Sequence, residues 1–231
     1  VLAMWRRHAA HWLDASGTLE LGLRAPPLWM PALNYHRVHP SPASQPFDRG
    51  VIDATPAELD EQMEVLARHF TPIGVSELAD HVTHGRPLPE RPALVTFDDA
   101  YRECLTLALP ILRARGVRAS FFVPTALVSD RRVPWWDRVS YIVRSSPLAR
   151  IELRYPVRTE LDLSSEEDAV RELLGIFKRR YAIDTERFFD ELGEAAGVHW
   201  DAELERRFAD ELLLDWDGLR ELTRAGMEVH S

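Results

Sequence analysis

Two adjacent aspartates, Asp98 and Asp99, follow the apolar run "ALVTF" and precede a helical stretch that begins near Tyr101. One interpretation is helix capping by Asp99, because the exposed N–H groups of a helix N-terminus favour a carboxylate. The other is a metal site with a catalytic base, in which one carboxylate binds a divalent cation and the other takes a proton from water. The pair of residues alone leaves both interpretations open.

The neighbouring segments indicate how this pair is positioned. Residues 93–97 form a short continuous apolar run, which is typical of a strand covered on both faces. Residues 101–116 predict a helix that Pro110 kinks and Gly116 ends, and residues 117–123 predict the next strand. This strand–helix–strand order predicts a parallel sheet. In barrels of such units the C-terminal ends of the strands form the mouth where chemistry takes place.

Further elements are predicted on both sides of this unit. Residues 32–38, "ALNYHRV", predict a strand. Residues 55–70 predict an amphipathic helix that Thr55 caps, with Pro56 at its first position and Glu58 completing a capping box. Residues 1 to about 15 have helical spacing, so we assign residues 1–29 to an N-terminal helical segment.

From about residue 135 to 214 the pattern becomes helical, apart from one short strand candidate at "RIELRY". We interpret this stretch as a helical insertion within a domain of residues 30–231, and not as a second domain. A capped helix at residues 215–226 and a strand at 227–231 then continue the α/β pattern.

Composition limits the possible classes of protein. A chain of 231 residues that is 45% hydrophobic can form one sizeable core. A net charge of -9 without a basic stripe argues against nucleic-acid binding. Cys104 is the single cysteine, so no internal disulfide can form. No apolar run approaches the ~20 residues that span a membrane, and no signal peptide is visible. Localisation is therefore left unknown, with the cytoplasm and the cell envelope both open.

The segment "TFDDAYRECLTLALPILRARGVRASFFV" resembles the opening motif of the polysaccharide deacetylase family, the NodB-homology domain of carbohydrate esterase family 4. Ala100 stands where the family usually has Gly, and Ser120 where it usually has Thr. "LNYHRV" resembles the strand that opens these domains. "VPWWDRVSYIV" with the following helices resembles the bacterial branch that carries an insertion, and "LDWDGLRELTRAGMEVHS" resembles the stretch that leads into the second motif.

This resemblance implies a distorted, incomplete (β/α) barrel of the NodB type, truncated at its C-terminus and carrying a helical insertion. It implies a metal-dependent deacetylase that hydrolyses N-acetyl or O-acetyl groups on a bacterial polysaccharide. In the family pattern Asp98 matches the catalytic base and Asp99 matches a metal ligand. The backbone N–H of Tyr101 matches a donor to the oxyanion. The implied cofactor is a divalent metal, with zinc ahead of cobalt and nickel.

The other two metal ligands of the family are histidines in an H-[ST]-x-x-H motif. His230 and Ser231 could begin that motif in one register. Counting from Gly226 instead places the first ligand just after Ser231, and His230 then occupies a usual Gly position. The second histidine and the later motifs are absent in either register, so we expect a fragment that is inactive alone.

Two more residues are candidates for lining a substrate cleft. His36 lies at a strand end that should reach the mouth, although a structural, hydrogen-bonded histidine is the competing interpretation. Trp135 of the Trp135–Trp136 pair could stack on a sugar, or it could anchor the insertion. The expected partner is a polysaccharide or an oligosaccharide, and the residues do not identify which one.

Two other functions compete with deacetylation. A glycosidase needs two carboxylates ~5 to 9.5 Å apart across a sugar ring, which adjacent aspartates do not naturally provide. A non-catalytic carbohydrate-binding relative that has lost the metal site remains the alternative.

Overall fold

The computed structural model describes residues 29–179 and 182–231, so the predicted N-terminal helix lies outside the described residues. A five-stranded parallel sheet forms the framework, in the order β1–β5–β6–β9, with β4 paired to the first half of β5. Two short strands, β2 and β3, pair with each other in parallel beside it. These strands are β1 (Ala32–Tyr35), β2 (Arg37–Val38), β3 (Ile52–Ala54), β4 (Thr71–Ile73), β5 (Pro92–Phe97), β6 (Ser120–Phe122) and β9 (Glu228–His230).

One face of the sheet carries aromatic side chains that stack from strand to strand. Tyr35 lies opposite Phe97, and Phe97 lies opposite Phe121 in the register. Their ring centroids are 5.2 and 5.0 Å apart, and all three side chains are buried. Because side chains alternate along a strand, the residues between them face the opposite side. Asn34 and Thr96 are such residues, and they carry polar groups to the side on which the aspartates lie.

Helices cover the aromatic face of the sheet. Helix α1 (Pro56–His69) begins with the predicted capping box, in which Thr55 and Glu58 exchange hydrogen bonds. Leu59 and Met63 of this helix are fully buried in the main hydrophobic cluster. Helix α2 (Val75–His84) follows β4 and ends at Gly85, which has a left-handed backbone. This arrangement confirms the strand–helix pattern predicted from the sequence.

Pro110 breaks the helix between β5 and β6, as predicted. Residues Cys104–Ala108 form a π-helical turn, and α3 (Leu109–Ala114) continues from it. Proline has no N–H to donate to the preceding turn, so the helix widens there. Cys104 is buried in the main hydrophobic cluster, as expected for a small core residue.

Residues 135–214, the stretch predicted to be a helical insertion, are divided between two hydrophobic clusters. Residues between Val139 and Ala196 form a cluster of their own, the insertion cluster, whereas Phe208, Ala209 and Leu212 belong to the main cluster against the sheet. The insertion also contains an antiparallel hairpin of β7 and β8, of which the sequence predicted only the first strand. The remaining elements are α4 (Thr125–Asp130), α5 (Trp135–Ser145), β7 (Arg150–Leu153), β8 (Thr159–Asp162), α6 (Glu166–Arg179), α7 (Thr185–Ala196), α8 (Ala202–Leu212) and α9 (Trp216–Arg224).

The α/β fold class with a parallel sheet is confirmed. Within residues 29–179 and 182–231 the sheet is open, and no closed barrel forms. No helix in the described part of the chain has the length and apolar composition that a membrane span requires.

Candidate active site

Asp98 and Asp99 lie at the C-terminal end of β5, between its two neighbouring strands. The N–H of Asp98 donates a 2.8 Å hydrogen bond to the carbonyl of Tyr35, which ends β1. The N–H of Asp99 donates a 3.1 Å hydrogen bond to the carbonyl of Phe122, which ends β6. The two peptide groups therefore attach to opposite sides of the strand, and this fixes the backbone beneath both carboxylates.

The turn after Asp98 is conformationally demanding. Asp99 has a φ of 70° and Ala100 a φ of 56°, so two consecutive non-glycine residues are left-handed. Such a conformation costs about 1–2 kcal/mol for each residue with a Cβ atom. The usual glycine at the position of Ala100 would avoid part of this cost. The surrounding contacts hold the strained turn in place.

Asp98 faces two polar side chains of the β1 segment. Asn34 Nδ2 donates a 3.1 Å hydrogen bond to Oδ2 of Asp98. His36 Nε2 lies 3.9 Å from the same oxygen. The Oδ1 atom of Asn34 accepts a 2.7 Å hydrogen bond from the hydroxyl of Thr96, which fixes the orientation of the amide. The carboxylate of Asp98 is thereby oriented while about a third of the side chain remains exposed.

Asp53 orients the imidazole of His36. The backbone N–H of His36 donates a 2.6 Å hydrogen bond to Oδ2 of Asp53, and Nδ1 lies 3.2 Å from that oxygen. This contact favours a proton on Nδ1 and leaves Nε2 facing Asp98. His36 therefore lies beside Asp98 at the strand end, but it is not among the residues that line the cavity, and its role in a substrate cleft stays a prediction.

Asp99 lies in a different environment from its neighbour. Its carboxylate is half-buried and has no hydrogen bond or ion pair within the described residues. Desolvation by burial is the largest cause that raises the pKa of Asp99 to about 6, and the charge of Asp98 raises it further against the opposing effect of His36. The following helical turn receives no side-chain cap. The helix-capping interpretation of Asp99 is therefore not supported.

A shallow cavity of about 500 Å³ opens over the two carboxylates. Polar and apolar groups from the ends of four parallel strands, β1, β5, β6 and β9, meet in its wall. Its lining comprises Asn34, Thr96, Asp98, Asp99, Phe122, Val123, Pro124 and Ser231. This position matches the mouth at which strand-end side chains can act on a bound molecule.

Tyr101 has a buried side chain and a free backbone donor. The whole residue is 0% exposed, backbone included, and its hydroxyl is hydrogen-bonded to Asp137 and Trp136 of the insertion. Its N–H finds no acceptor within the described part of the chain. A free N–H two residues beyond Asp99 is compatible with the predicted role in binding an oxyanion, which stays a prediction.

His230 and Trp135 are placed elsewhere. The ring of His230 packs on Phe122 with centroids 5.5 Å apart, and its Nε2 lies 3.1 Å from Oε2 of Glu228. Trp135 stacks on Phe177 of the insertion at 4.3 Å and is not among the residues that line the cavity. This contact lies within the insertion, so it shows neither a place in a cleft nor an anchor against the sheet domain, and the role of Trp135 stays a prediction.

The metal-binding prediction rests on Asp99 alone. No group of three or more histidine, cysteine, aspartate or glutamate side chains that could hold an ion occurs within residues 29–179 and 182–231. An unpaired, half-buried carboxylate suits one ligand of a divalent cation, but structural and catalytic sites use three or four protein ligands. The described residues therefore provide Asp99 as one candidate ligand and do not complete a metal site.

Sequence reasoning missed three residues at this site. Asn34 touches Asp98 only because the parallel register places it directly opposite Thr96. Asp53 lies within the short strand β3, whose pairing with β2 was not predicted. Asp137 binds Tyr101 from the insertion, and the one available signal was an acidic residue directly after the Trp135–Trp136 pair.

Comparisons with known proteins show which protein family this chain resembles. The family described as polysaccharide deacetylase matches residues 85–152, which include both aspartates and Tyr101. The resemblance to this family predicted from the sequence is thereby confirmed. The poly-beta-1,6-N-acetyl-D-glucosamine N-deacetylase of Escherichia coli K12 is 31% identical over 84 residues, which is 36% of this chain and 12% of that protein. The chain thus matches only about an eighth of the length of this relative.

Solved structures give weaker likenesses. A de-N-acetylase from Aggregatibacter actinomycetemcomitans is 16% identical, with a TM-score of 0.43 over 87% of this chain and 53% of that chain. IcaB from Ammonifex degensii is 20% identical, with a TM-score of 0.38 over 73% of this chain and 81% of that chain. These scores are too low to support an argument about the site.

Proposed function

We propose that the protein removes acetyl groups from an N-acetylated bacterial polysaccharide. The observation that carries this proposal is the contrast between the two adjacent carboxylates. Asp98 is oriented by Asn34 and lies near His36, whereas Asp99 lies half-buried and has no partner among the residues that the structure describes. Two carboxylates in different environments can take different chemical roles. The matched family and the E. coli relative, which is named for N-deacetylation of poly-beta-1,6-N-acetyl-D-glucosamine, support the same reaction class.

In the proposed reaction Asp98 acts as the general base. Its carboxylate takes a proton from a water molecule, and the oxygen of that water attacks the acetyl carbonyl. Asn34 holds the carboxylate toward the cavity, and Nε2 of His36 lies 3.9 Å from the same carboxylate oxygen. The free N–H of Tyr101 would donate to the oxyanion that develops on the carbonyl oxygen. Collapse of the tetrahedral intermediate then breaks the C–N bond, the nitrogen takes up the proton that Asp98 accepted, and the products are acetate and the sugar amine.

Asp99 would supply one ligand to a divalent cation, zinc before cobalt or nickel. Such an ion polarises a carbonyl and lowers the pKa of water from ~15.7 toward ~7. Its binding would also offset the desolvation that raises the pKa of Asp99 to about 6. The further ligands that this proposal requires are not among the described residues.

The test compares three substitutions in the whole protein, with acetate release from a β-1,6-linked N-acetylglucosamine oligomer as the assay. Asp98→Asn should lower kcat by at least about 100-fold while metal content is unchanged, because a general base typically contributes about 10²–10⁴-fold. Asp99→Asn should lower metal affinity and activity together. Asp217→Asn, at an exposed carboxylate paired with Arg220, serves as the control and should change neither quantity.

The outcomes separate the candidate functions. Normal activity in Asp98→Asn, or unchanged metal content in Asp99→Asn, would contradict the assigned roles. Binding of the oligomer without any acetate release by the unmodified protein would instead favour the non-catalytic carbohydrate-binding relative.

A further inference from the structure

The insertion reaches the candidate site through the side chain of Tyr101. The hydroxyl of Tyr101 donates a 2.6 Å hydrogen bond to Oδ2 of Asp137, in the first turn of α5. The same hydroxyl accepts a 2.7 Å hydrogen bond from Nε1 of Trp136. Tyr101 and Asp137 are both 0% exposed, so this contact lies in the protein interior. Two residues of the insertion thus fix one side chain that follows the aspartate pair.

Burying the carboxylate of Asp137 at this position is energetically unfavourable. Burial raises the pKa of its carboxyl to about 7, against the effects of the Tyr101 hydroxyl and of Arg37. Its second oxygen accepts a 2.9 Å hydrogen bond from the backbone N–H of Asp48, so both oxygens are used. Well-packed apolar side chains often stabilise a core as well as a buried polar group does. Stability alone therefore does not account for a carboxylate at this position.

The other end of the insertion holds the same short segment. Arg102 N–H donates a 2.7 Å hydrogen bond to the carbonyl of Leu212, and Leu214 N–H donates a 2.9 Å hydrogen bond to the carbonyl of Ala100. Tyr101 and Leu213 are thereby paired as an antiparallel bridge. Both ends of the insertion thus converge on residues 100–102.

This segment needs external support. Asp99 and Ala100 have positive φ angles, and a loop with this strain relaxes unless its surroundings hold it. The backbone bridge leaves the N–H of Tyr101 out of its hydrogen bonds, so that donor keeps a fixed direction without being used. A donor held in advance toward a developing charge is the arrangement that stabilises an oxyanion.

We infer that Asp137 is a positioning residue, which acts through the hydroxyl of Tyr101 to aim the Tyr101 backbone N–H at the oxyanion of the acetyl group. This inference rests on the proposed deacetylase function and extends it. Under this inference the first turn of α5 contributes to catalysis through Tyr101, although Asp137 itself does not touch the substrate.

The test uses variants of the whole protein, assayed for kcat and KM of acetate release from a β-1,6-linked N-acetylglucosamine oligomer. Tyr101→Phe removes the hydroxyl alone, and Asp137→Ala removes its acceptor. Each should lower kcat about 10- to 100-fold with KM changed less than about twofold, since a misplacement of 1 Å can cost about 10²-fold. Asp137→Asn keeps one oxygen that can accept from the Tyr101 hydroxyl but loses the acceptor for the N–H of Asp48, so it should restore part of the kcat that Asp137→Ala loses.

A control separates positioning from general loss of stability. Leu173→Ala removes a fully buried side chain from the insertion cluster, away from Tyr101. It should lower the melting temperature while leaving kcat within about twofold of the unmodified protein at temperatures where it is folded.

The results distinguish failure of the inference from failure of the proposed function. Unchanged kcat in folded Tyr101→Phe, or an equal loss of kcat in Leu173→Ala, would overturn the positioning role while deacetylation stands. If Asp137→Ala does not fold, Tyr101→Phe alone decides the matter, because it removes a single oxygen atom. An unmodified protein that releases no acetate would overturn the proposed function, and the inference with it.

Discussion

The C-terminal end of the sheet, where Asp98 and Asp99 lie, and the surface of the insertion differ in how their charged residues are paired. On the insertion many charges are paired on exposed surfaces, as between Arg171 and Asp168 or Arg158 and Glu152. At the C-terminal end of β5, Asp99 is half-buried and has no partner within the described residues. Exposed ion pairs contribute little energy and indicate no chemistry. An unpaired carboxylate in a cavity has a higher free energy, and its position therefore points to function.

The two regions should nevertheless be equally well packed. Leu112, in the main cluster, and Leu173, in the insertion cluster, are both 0% exposed. Replacing either with alanine should lower the free energy of unfolding by about 2–5 kcal/mol, because it removes apolar contacts and leaves a cavity. Urea denaturation followed by tryptophan fluorescence and by circular dichroism measures both losses. A far smaller loss for Leu173→Ala would indicate that the insertion is loosely packed, and would break the comparison.

The buried carboxyl of Asp137, in the insertion, should make the stability of the protein depend on pH. Its pKa is raised to about 7 in the folded protein, above the value of ~3.9 in an unfolded chain. Between these values the folded state holds a proton that the unfolded state has lost. The stabilisation from this proton is complete below about pH 4 and is lost as the pH rises through about 7.

Asp137→Asn should remove this component of the pH dependence. The amide does not ionise, so the variant lacks this loss of stability at high pH. As the pH rises from 4 to 8, the free energy of unfolding of the variant should therefore increase relative to that of the unmodified protein by a few kcal/mol. Urea denaturation at pH 5 and pH 8 compares the two proteins. Asp48, whose pKa burial also raises, is retained in both proteins, and the difference between them includes the electrostatic coupling of Asp48 to Asp137. Identical pH slopes would show that Asp137 ionises normally in the folded state.

A smaller effect is expected at the start of α1, in the sheet region. Thr55→Ala removes the side-chain half of the capping box and should lower the free energy of unfolding by about 1 kcal/mol. Thr55→Ser keeps the hydroxyl and is the matched control, which should lose only a few tenths of that amount. Chemical denaturation measures both changes. Equal losses in the two variants would mean that the threonine methyl group, and not the cap, supplies the stabilisation.

The sequence predicted local structure well where one physical signal dominates. The capping box fixed the start of α1, Pro110 and Gly116 fixed the break and the end of the helix after β5, and the apolar run fixed β5. Each signal acts within a few residues, so it can be recognised without knowledge of the rest of the fold.

The site was predicted less completely because its contacts are long-range. Asn34 and Asp98 are 64 positions apart, and Tyr101 and Asp137 are 36 positions apart. Only the parallel register and the path of the insertion bring these side chains together. The strand β8 was missed because its polar sequence resembles the helix that follows it. The roles of Asp98, Asp99 and Tyr101 remain predictions that the proposed substitutions test.

The pairing of β6 with β9 has a consequence for the timing of folding. Ser120 and Glu228, which face each other across these strands, are 108 positions apart, with the insertion between them. At synthesis rates of about 5–20 residues per second, the open edge of β6 waits roughly 5–20 s for its partner on the ribosome. An unpaired strand edge is a template for wrong pairing during that interval. An insertion that collapses early around its own cluster would bring the two ends of this gap together before aggregation competes.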